Sequence, residues 1–180
     1  MDQAEYDALV KAQAHYYDEV ITPSTTITCT LLRRMHRDWL GSIYEWAGEY
    51  RSVEMEKCGF VWPSSFIVPE NMAHFEQEIL AKHTPCRPRA LEKVCLSVAT
   101  VHADFLCIHP FREGNGRTAR WLADIMITQA GYPLPAYRFA GRGSTSVRAE
   151  YLQAVRKGYD QCYETLARFF EEAVRLRDAL

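Results

Sequence analysis

The chain has 180 residues, 48% of them hydrophobic, and a formal net charge of −2. That is enough apolar material for one well-buried core, and it gives no overall positive charge with which to bind nucleic acid or an anionic membrane. No apolar run approaches the roughly 20 residues that span a bilayer, and the acidic opening MDQAEYDALV lacks the basic-then-apolar layout of a signal peptide, so a cytoplasmic protein is expected.

Helical periodicity runs through the chain without repeats or linkers, and predicts one compact, mainly α domain over residues 1–180. The first helix spans Ala4 to about Glu19 and stops before Pro23, because a residue preceding proline is steered away from helical angles. Ser24, Thr25 or Thr26 is expected to cap the next helix, which carries Leu31, Leu32, Met35 and Trp39 at helical spacing. Between Arg51 and Pro63, the residues Val53, Met55, Phe60 and Trp62 alternate around Cys58-Gly59, which predicts a short β-hairpin. A helix from Glu70 to about Lys82 is closed by Pro85 and Pro88. From Arg89 onward, Leu91, Val94, Cys95, Val98, His102, Phe105 and Leu106 trace one helical face up to His109, where Pro110 ends it. The next helix runs from about Gly116 to Gly131, with Trp121, Leu122, Ile125 and Met126 on one face. Two more, Ser146 to Lys157 and Tyr159 to Arg177, close a bundle of about eight helices. Six cysteines, Cys29, Cys58, Cys86, Cys95, Cys107 and Cys162, show no C-x-x-C spacing and read as reduced core residues. A zinc site built from Cys95, His102, Cys107 and His109 would match no common finger spacing.

The stretch HPFREGNGRTAR, His109 to Arg120, sits in the loop that feeds the helix starting near Gly116. Gly114-Asn115-Gly116 permits backbone angles closed to other residues, so successive N–H groups can converge on an anion beside a helix N-terminus. Arg117 and Arg120 lie three apart on that helix, and each can fork onto phosphate oxygens, which suits a chain of phosphates. Glu113 can hold Mg²⁺, an ion that takes one or two carboxylates plus phosphate oxygens. His109 is largely neutral at pH 7 and stands where it can take a proton from a hydroxyl. Plainer readings exist for each: His109 as a hydrogen-bonded core histidine, Arg120–Asp124 and Glu113–Arg117 as solvated i, i+4 pairs, Gly-Asn-Gly as a turn. The order of residues matches neither G-x-G-x-x-G nor the P-loop.

Together these residues resemble the signature of Fic-domain proteins, H-x-F-x-(D/E)-G-N-G-R-x-x-R, at His109, Phe111, Glu113, Gly114, Asn115, Gly116, Arg117 and Arg120. MHRDWLGSIYEWAGEYR, Met35 to Arg51, is also similar to sequence typical of that family, and the likeness continues through the Tyr151 helix. The resemblance implies a mostly helical Fic fold and transfer of AMP from ATP to a Tyr, Thr or Ser hydroxyl of a target protein, with release of pyrophosphate. It implies His109 as the base, Glu113 as the holder of Mg²⁺ and Asn115 at the α-phosphate. The backbone of Gly114 and Gly116 would form the anion nest, Arg117 would bind the phosphate chain, Arg120 would reach the γ-phosphate, and Phe111 would anchor the loop. The hairpin at Lys57, Cys58, Gly59 and Phe60 falls at the family's flap, where an extended target segment docks by strand addition. Arg148 and Tyr151 are candidates for the nucleobase pocket, Tyr151 equally for the core.

Many family members restrain themselves through a helix bearing (S/T)-x-x-x-E-(G/N), whose glutamate pairs with the second motif arginine. Here only Ser52/Glu56 and Ser146/Glu150 have the first spacing, and Lys57 and Tyr151 follow where Gly or Asn should stand. The toxin-like branch without an inhibitory helix is therefore expected, restrained by a separate antitoxin-like protein. Two other readings stand beside AMP transfer: transfer of another group, UMP or phosphocholine, on the same fold, and a catalytically silent module that docks peptides on its hairpin. An intact His109 with both arginines argues against the silent module.

Overall fold

The computed structural model describes residues 2–57 and 59–178. Helix α1 (Gln3–His15) starts on the side chain of Asp2, which accepts from the Ala4 N–H, and widens without a break into a π-helical turn, Tyr16–Val20. Helix α2 (Cys29–Leu40) is capped by Thr28, whose hydroxyl accepts from the Leu31 N–H at 3.1 Å. The cap therefore lies beyond the expected Ser24, Thr25 or Thr26. Ser24 and Thr25 belong to a local turn in which Thr25 Oγ1 accepts from the Thr22 N–H, and of the four only Thr28 immediately precedes the helix.

The hairpin pairs β1 (Glu56–Lys57) with β2 (Phe60–Val61), Glu56 opposite Val61 and Lys57 opposite Phe60. It is shorter than the alternation from Val53 to Trp62 suggests. One further bond, Trp62 N–H to the Met55 carbonyl at 3.1 Å, extends it, and below that the Val53 and Pro63 carbonyls accept from Arg51 rather than from a facing strand.

A 3₁₀ turn (Ser65–Ile67) leads into α3 (Val68–His74), a π-helical run (Phe75–Leu80) and α4 (Ala81–His83), which together make one rod. Central to the bundle is α5 (Leu91–Ile108), whose Val94, Val98, Val101 and Phe105 have no exposed surface. It packs against α6 (Asn115–Gln129), α7 (Ser144–Tyr159) and α8 (Glu164–Asp178). The approach of α7 is so close that a Cβ on Gly158 would stand 2.5 Å from the Cβ of Ala103.

The last helix begins at Glu164, not at Tyr159. Gln161 takes a left-handed φ of 61°, its N–H returns to Gly158 O and the Cys162 N–H to Lys157 O. This is a Schellman stop with glutamine where glycine is usual, so the residue types do not announce it. Cys29, Cys86 and Cys95 are buried as expected, whereas Cys107 is half-buried and Cys162 exposed. No helix among the described residues is long and apolar enough to cross a membrane.

Candidate active site

The C-terminus of α5 delivers His109. Its N–H makes the last helical bond, to Phe105 O at 3.0 Å, and the residue then turns left-handed, φ 54° and ψ 61°. His109 Nδ1 lies 3.2 Å from the Leu106 carbonyl. A carbonyl only accepts, so Nδ1 carries the proton and Nε2 keeps the lone pair. Trp62 of the hairpin lies against the imidazole, ring centroids 4.1 Å apart. Burial is the main cause of a pKa pulled down to about 4, which leaves Nε2 able to accept a proton at neutral pH.

Buried contacts build the loop that follows. Phe111 has no exposed surface and stacks on His36 at 3.9 Å, the anchoring role expected for it. His36 accepts the Gly48 N–H on Nδ1 at 2.9 Å and so donates from Nε2 to the Glu113 carbonyl at 3.0 Å. Burial lowers its pKa to about 4 and keeps it neutral. Asn115 is 2% exposed; its amide accepts from the Phe111 N–H at 2.8 Å and donates to the Phe111 carbonyl at 2.7 Å. That leaves one amide hydrogen for the expected α-phosphate contact. At Gly114, φ is 80° and a Cβ would meet Trp39 at 2.9 Å, so angle and space both demand glycine. Helix α6 starts without a side-chain cap. The N–H groups of Asn115 and Gly116 have no acceptor among the described residues, which suits an anion at this end. Gly114 and Gly116 line a cavity of about 580 Å³ with Glu5, Glu113, Arg117 and Arg120.

The two motif arginines differ. Arg117 Nη1 donates to Glu5 at 2.7 Å and Nη2 to Glu113 at 3.2 Å, with the guanidinium 4.5 Å over the Trp39 ring. Glu5, on α1, also accepts from the Tyr44 hydroxyl at 2.9 Å, and the Arg117 hydrogen bond is the main reason its carboxyl is held below the ordinary value. The Glu113–Arg117 pair of the plainer reading is thus present, joined to a third residue from the far end of the sequence. Arg120 makes no ion pair among the described residues; it lies 5.5 Å over the Phe139 ring and reaches the cavity. Asp124, its i, i+4 neighbour, instead accepts from the Tyr137 hydroxyl at 2.5 Å, and burial pushes its pKa up to about 7. The hydrogen bonds on the Glu113 carboxylate, from Gly114 N–H and Arg117, both fall on Oε1. Oε2 accepts none of these bonds and could hold Mg²⁺, since a single carboxylate fits an ion that takes its other ligands from phosphate and water.

A second cavity, about 430 Å³, opens between the hairpin and α7, lined by Lys57, Phe60, His109, Val155, Arg156 and Tyr159. Of the expected docking residues, Lys57 and Gly59 are exposed, Phe60 packs on Tyr159 at 4.9 Å across the cleft, and Cys58 lies outside the described residues. Tyr151 is 5% exposed and its hydroxyl is bonded to His102 Nε2 at 2.8 Å, so it is a core residue, one of the two places expected for it, and it also walls the cleft. The expectation for Arg148 needs correction. Arg148 does not line the cleft; its guanidinium clamps the Phe139 carbonyl at 3.0 and 2.5 Å, holding the chain before α7. Sequence reasoning missed Glu5, His36, Arg51 and Trp62. His36 and Arg51 lie in the family-like stretch from Met35, a signal that did not disclose their roles, and Glu5 belongs to no motif.

Residues 26–127 match the model of the Fic/DOC family. The chain is 31% identical over 143 residues to protein adenylyltransferase Fic of Nematostella vectensis, an alignment covering 79% of this chain and 32% of that protein. It is 29% identical over 137 residues to probable protein adenylyltransferase y4lH of Sinorhizobium fredii, covering 74% of this chain and 69% of that one. The fold is similar to that of BepC from Bartonella tribocorum, crystallised with bound AMPPNP: TM-score 0.73, 18% identity, 94% of this chain and 83% of that one covered. The chain thus spans about a third of the length of the Nematostella relative.

Proposed function

The chain belongs to the Fic/DOC family, and from that premise we propose that it is a protein adenylyltransferase, moving AMP from ATP to a Tyr, Thr or Ser hydroxyl of a target protein with release of pyrophosphate. One observation carries this reading: a deprotonated His109 Nε2 borders the same loop as the Gly114–Gly116 nest and an Arg120 with no carboxylate partner. The names of the relatives, and the nucleotide analogue in the BepC structure, support ATP as the donor.

In the transfer, the acceptor hydroxyl gives its proton to His109 Nε2 while its oxygen bonds to the α-phosphorus. The bond from that phosphorus to the oxygen bridging the α- and β-phosphates breaks, and pyrophosphate leaves with the electron pair. The nest N–H groups, the N-terminus of α6 and Arg120 hold the charge that develops on the phosphates. Arg117 fixes Glu113 and adds positive charge beside the phosphate chain. Mg²⁺, held through Glu113 Oε2, would supply further neutralisation of the phosphates.

An extended target segment adds to the hairpin edge, which brings its hydroxyl to His109. Restraint comes from a separate antitoxin-like protein that offers a carboxylate to Arg120, since Arg117 already has Glu5 in the same chain. A purified chain that is inactive alone and awakened by removing Glu56 or Glu150 would defeat that part of the reading.

The test is incubation with Mg²⁺ and α-labelled ATP in cell lysate, beside His109→Ala. An AMP adduct on protein is expected, reduced about 10²–10⁴-fold in the variant by loss of the base. No adduct from ATP, with the fold intact, overturns the assignment and hands the site to UMP or phosphocholine transfer or to the silent docking module.

A further inference from the structure

Arg51 is 4% exposed and makes no ion pair among the described residues; burial lowers its pKa. A buried cation without a counter-ion requires other partners. Arg51 spends its whole fork on main-chain carbonyls. Nε donates to His109 O at 2.8 Å, Nη1 to Val53 O at 2.9 Å and Nη2 to Pro63 O at 2.6 Å, with Ile108 O at 3.4 Å. Its own N–H donates to Pro110 O at 2.8 Å.

These acceptors fall into two sets. The carbonyls of Ile108 and His109 end α5, where carbonyls lack helical partners and the dipole is negative. Val53 and Pro63 are the two legs of the hairpin. Trp62 makes a second tie between the same parts: its Nε1 donates at 2.9 Å to Leu106 O, the carbonyl that also fixes His109 Nδ1, while its ring covers the imidazole.

We infer that Arg51 and Trp62 are positioning residues that join the hairpin to His109 as one rigid unit, so that the base and the edge receiving the acceptor are set by the same contacts; the consequence for transfer rests on the adenylyltransferase reading above. The left-handed turn at His109 is costly for a residue with a side chain and persists only when its surroundings enforce it. A guanidinium can fork onto carbonyls of both sets, whereas a lysine ammonium is a point charge that cannot reproduce the fork. The phosphate nest hangs from other contacts, His36 on Glu113 O and Asn115 on Phe111. Loss of the two ties therefore disturbs the acceptor side and spares nucleotide binding.

Trp62 also keeps water from the imidazole. The charges that face His109 are Arg51 and Lys57 from the hairpin side and Glu113 from the loop; with these unchanged, exposing the ring raises its pKa from about 4 toward the ordinary 6.5.

The experiment compares the whole chain with Arg51→Lys, Trp62→Phe and Trp62→Ala by thermal melting, Kd for MgATP, kcat and KM of transfer, and NMR titration of the His109 imidazole. The Kd should hold within about twofold while kcat of Arg51→Lys falls about 10²-fold, the effect of roughly 1 Å of misplacement. In Trp62→Ala the imidazole titration and the acid limb of kcat/KM should move up together, and Trp62→Phe should restore both. Should Trp62→Ala melt below the assay temperature, Trp62→Leu takes its place. An unchanged kcat in Arg51→Lys, a nucleotide affinity that falls as far as kcat, or a His109 titration unmoved in Trp62→Ala overturns the proposal. If the wild-type chain transfers nothing, the adenylyltransferase reading fails, and the imidazole titration still decides whether the hairpin sets the histidine.

Discussion

The loop from His109 to Arg120 and the hairpin from Glu56 to Val61 face each other across the imidazole, yet they are built in opposite ways. In the loop, Phe111 and Asn115 are buried and the main chain is bonded to the side chains of His36 and Asn115. In the hairpin, Glu56, Lys57 and Gly59 are exposed, Val61 is 65% exposed, and the ladder is two residue pairs long. Stabilising developing charge demands dipoles fixed before the reaction. Receiving a target segment demands an edge with backbone groups still unpaired. On the adenylyltransferase reading, rigidity thus lies on the phosphate side and accessibility on the acceptor side, with Arg51 and Trp62 bonded between them.

The contrast can be broken most forcefully on the rigid side. Asn115→Ala strips partners from the buried N–H and carbonyl of Phe111, at about 1–3 kcal/mol for each; thermal melting should show the loss, together with loss of nucleotide binding. The arginines come next. Arg117→Ala removes a charge-assisted bond to Glu5 worth about 1.5–3 kcal/mol and should lower the Tm. Arg120→Ala should leave stability within about 0.5 kcal/mol and instead weaken ATP binding by about tenfold or more. Equal stability losses in the two variants would erase the distinction between a framework arginine and a ligand arginine.

A smaller effect comes with pH. The Glu5 carboxyl is held below its ordinary 4.5 in the folded chain, so its contribution is full above that value and is lost as pH falls through the folded one. Acid titrations of stability should therefore fall more steeply below pH 4.5 for the wild type than for Glu5→Gln. The smallest change is expected at the hairpin. Lys57→Ala and Val61→Ser, both exposed, should shift stability by less than about 0.5 kcal/mol while raising KM for the target protein. A large stability loss there would show that the hairpin is framework after all.

Much of the candidate site was legible because it is contiguous. Gly114, Asn115, Gly116, Arg117 and Arg120 point to a candidate anion site by their order, and Phe111 to its buried anchor. Helical rods were legible for a similar reason, since periodicity is a local property; the exceptions were stops and caps such as Thr28 and Gln161, which depend on which of several competent residues the chain uses. Tyr151 was left between core and cleft and Arg148 was misplaced, because burial and a carbonyl clamp decide where those side chains go, and neither is written in residue type.

By itself, then, the sequence determined the mainly helical class, the position of the loop at a helix N-terminus and the identity of the residues around it, all interactions that operate over a few neighbouring positions. Only the tertiary structure decided which arginine is paired and which is open, that His109 carries its proton on Nδ1, and that one buried guanidinium holds the hairpin to the histidine. Glu5 meets Arg117 across 112 positions and Arg51 meets His109 across 58. Contacts at such separations exist only after the helices have packed and water has been excluded from the groups they bring together.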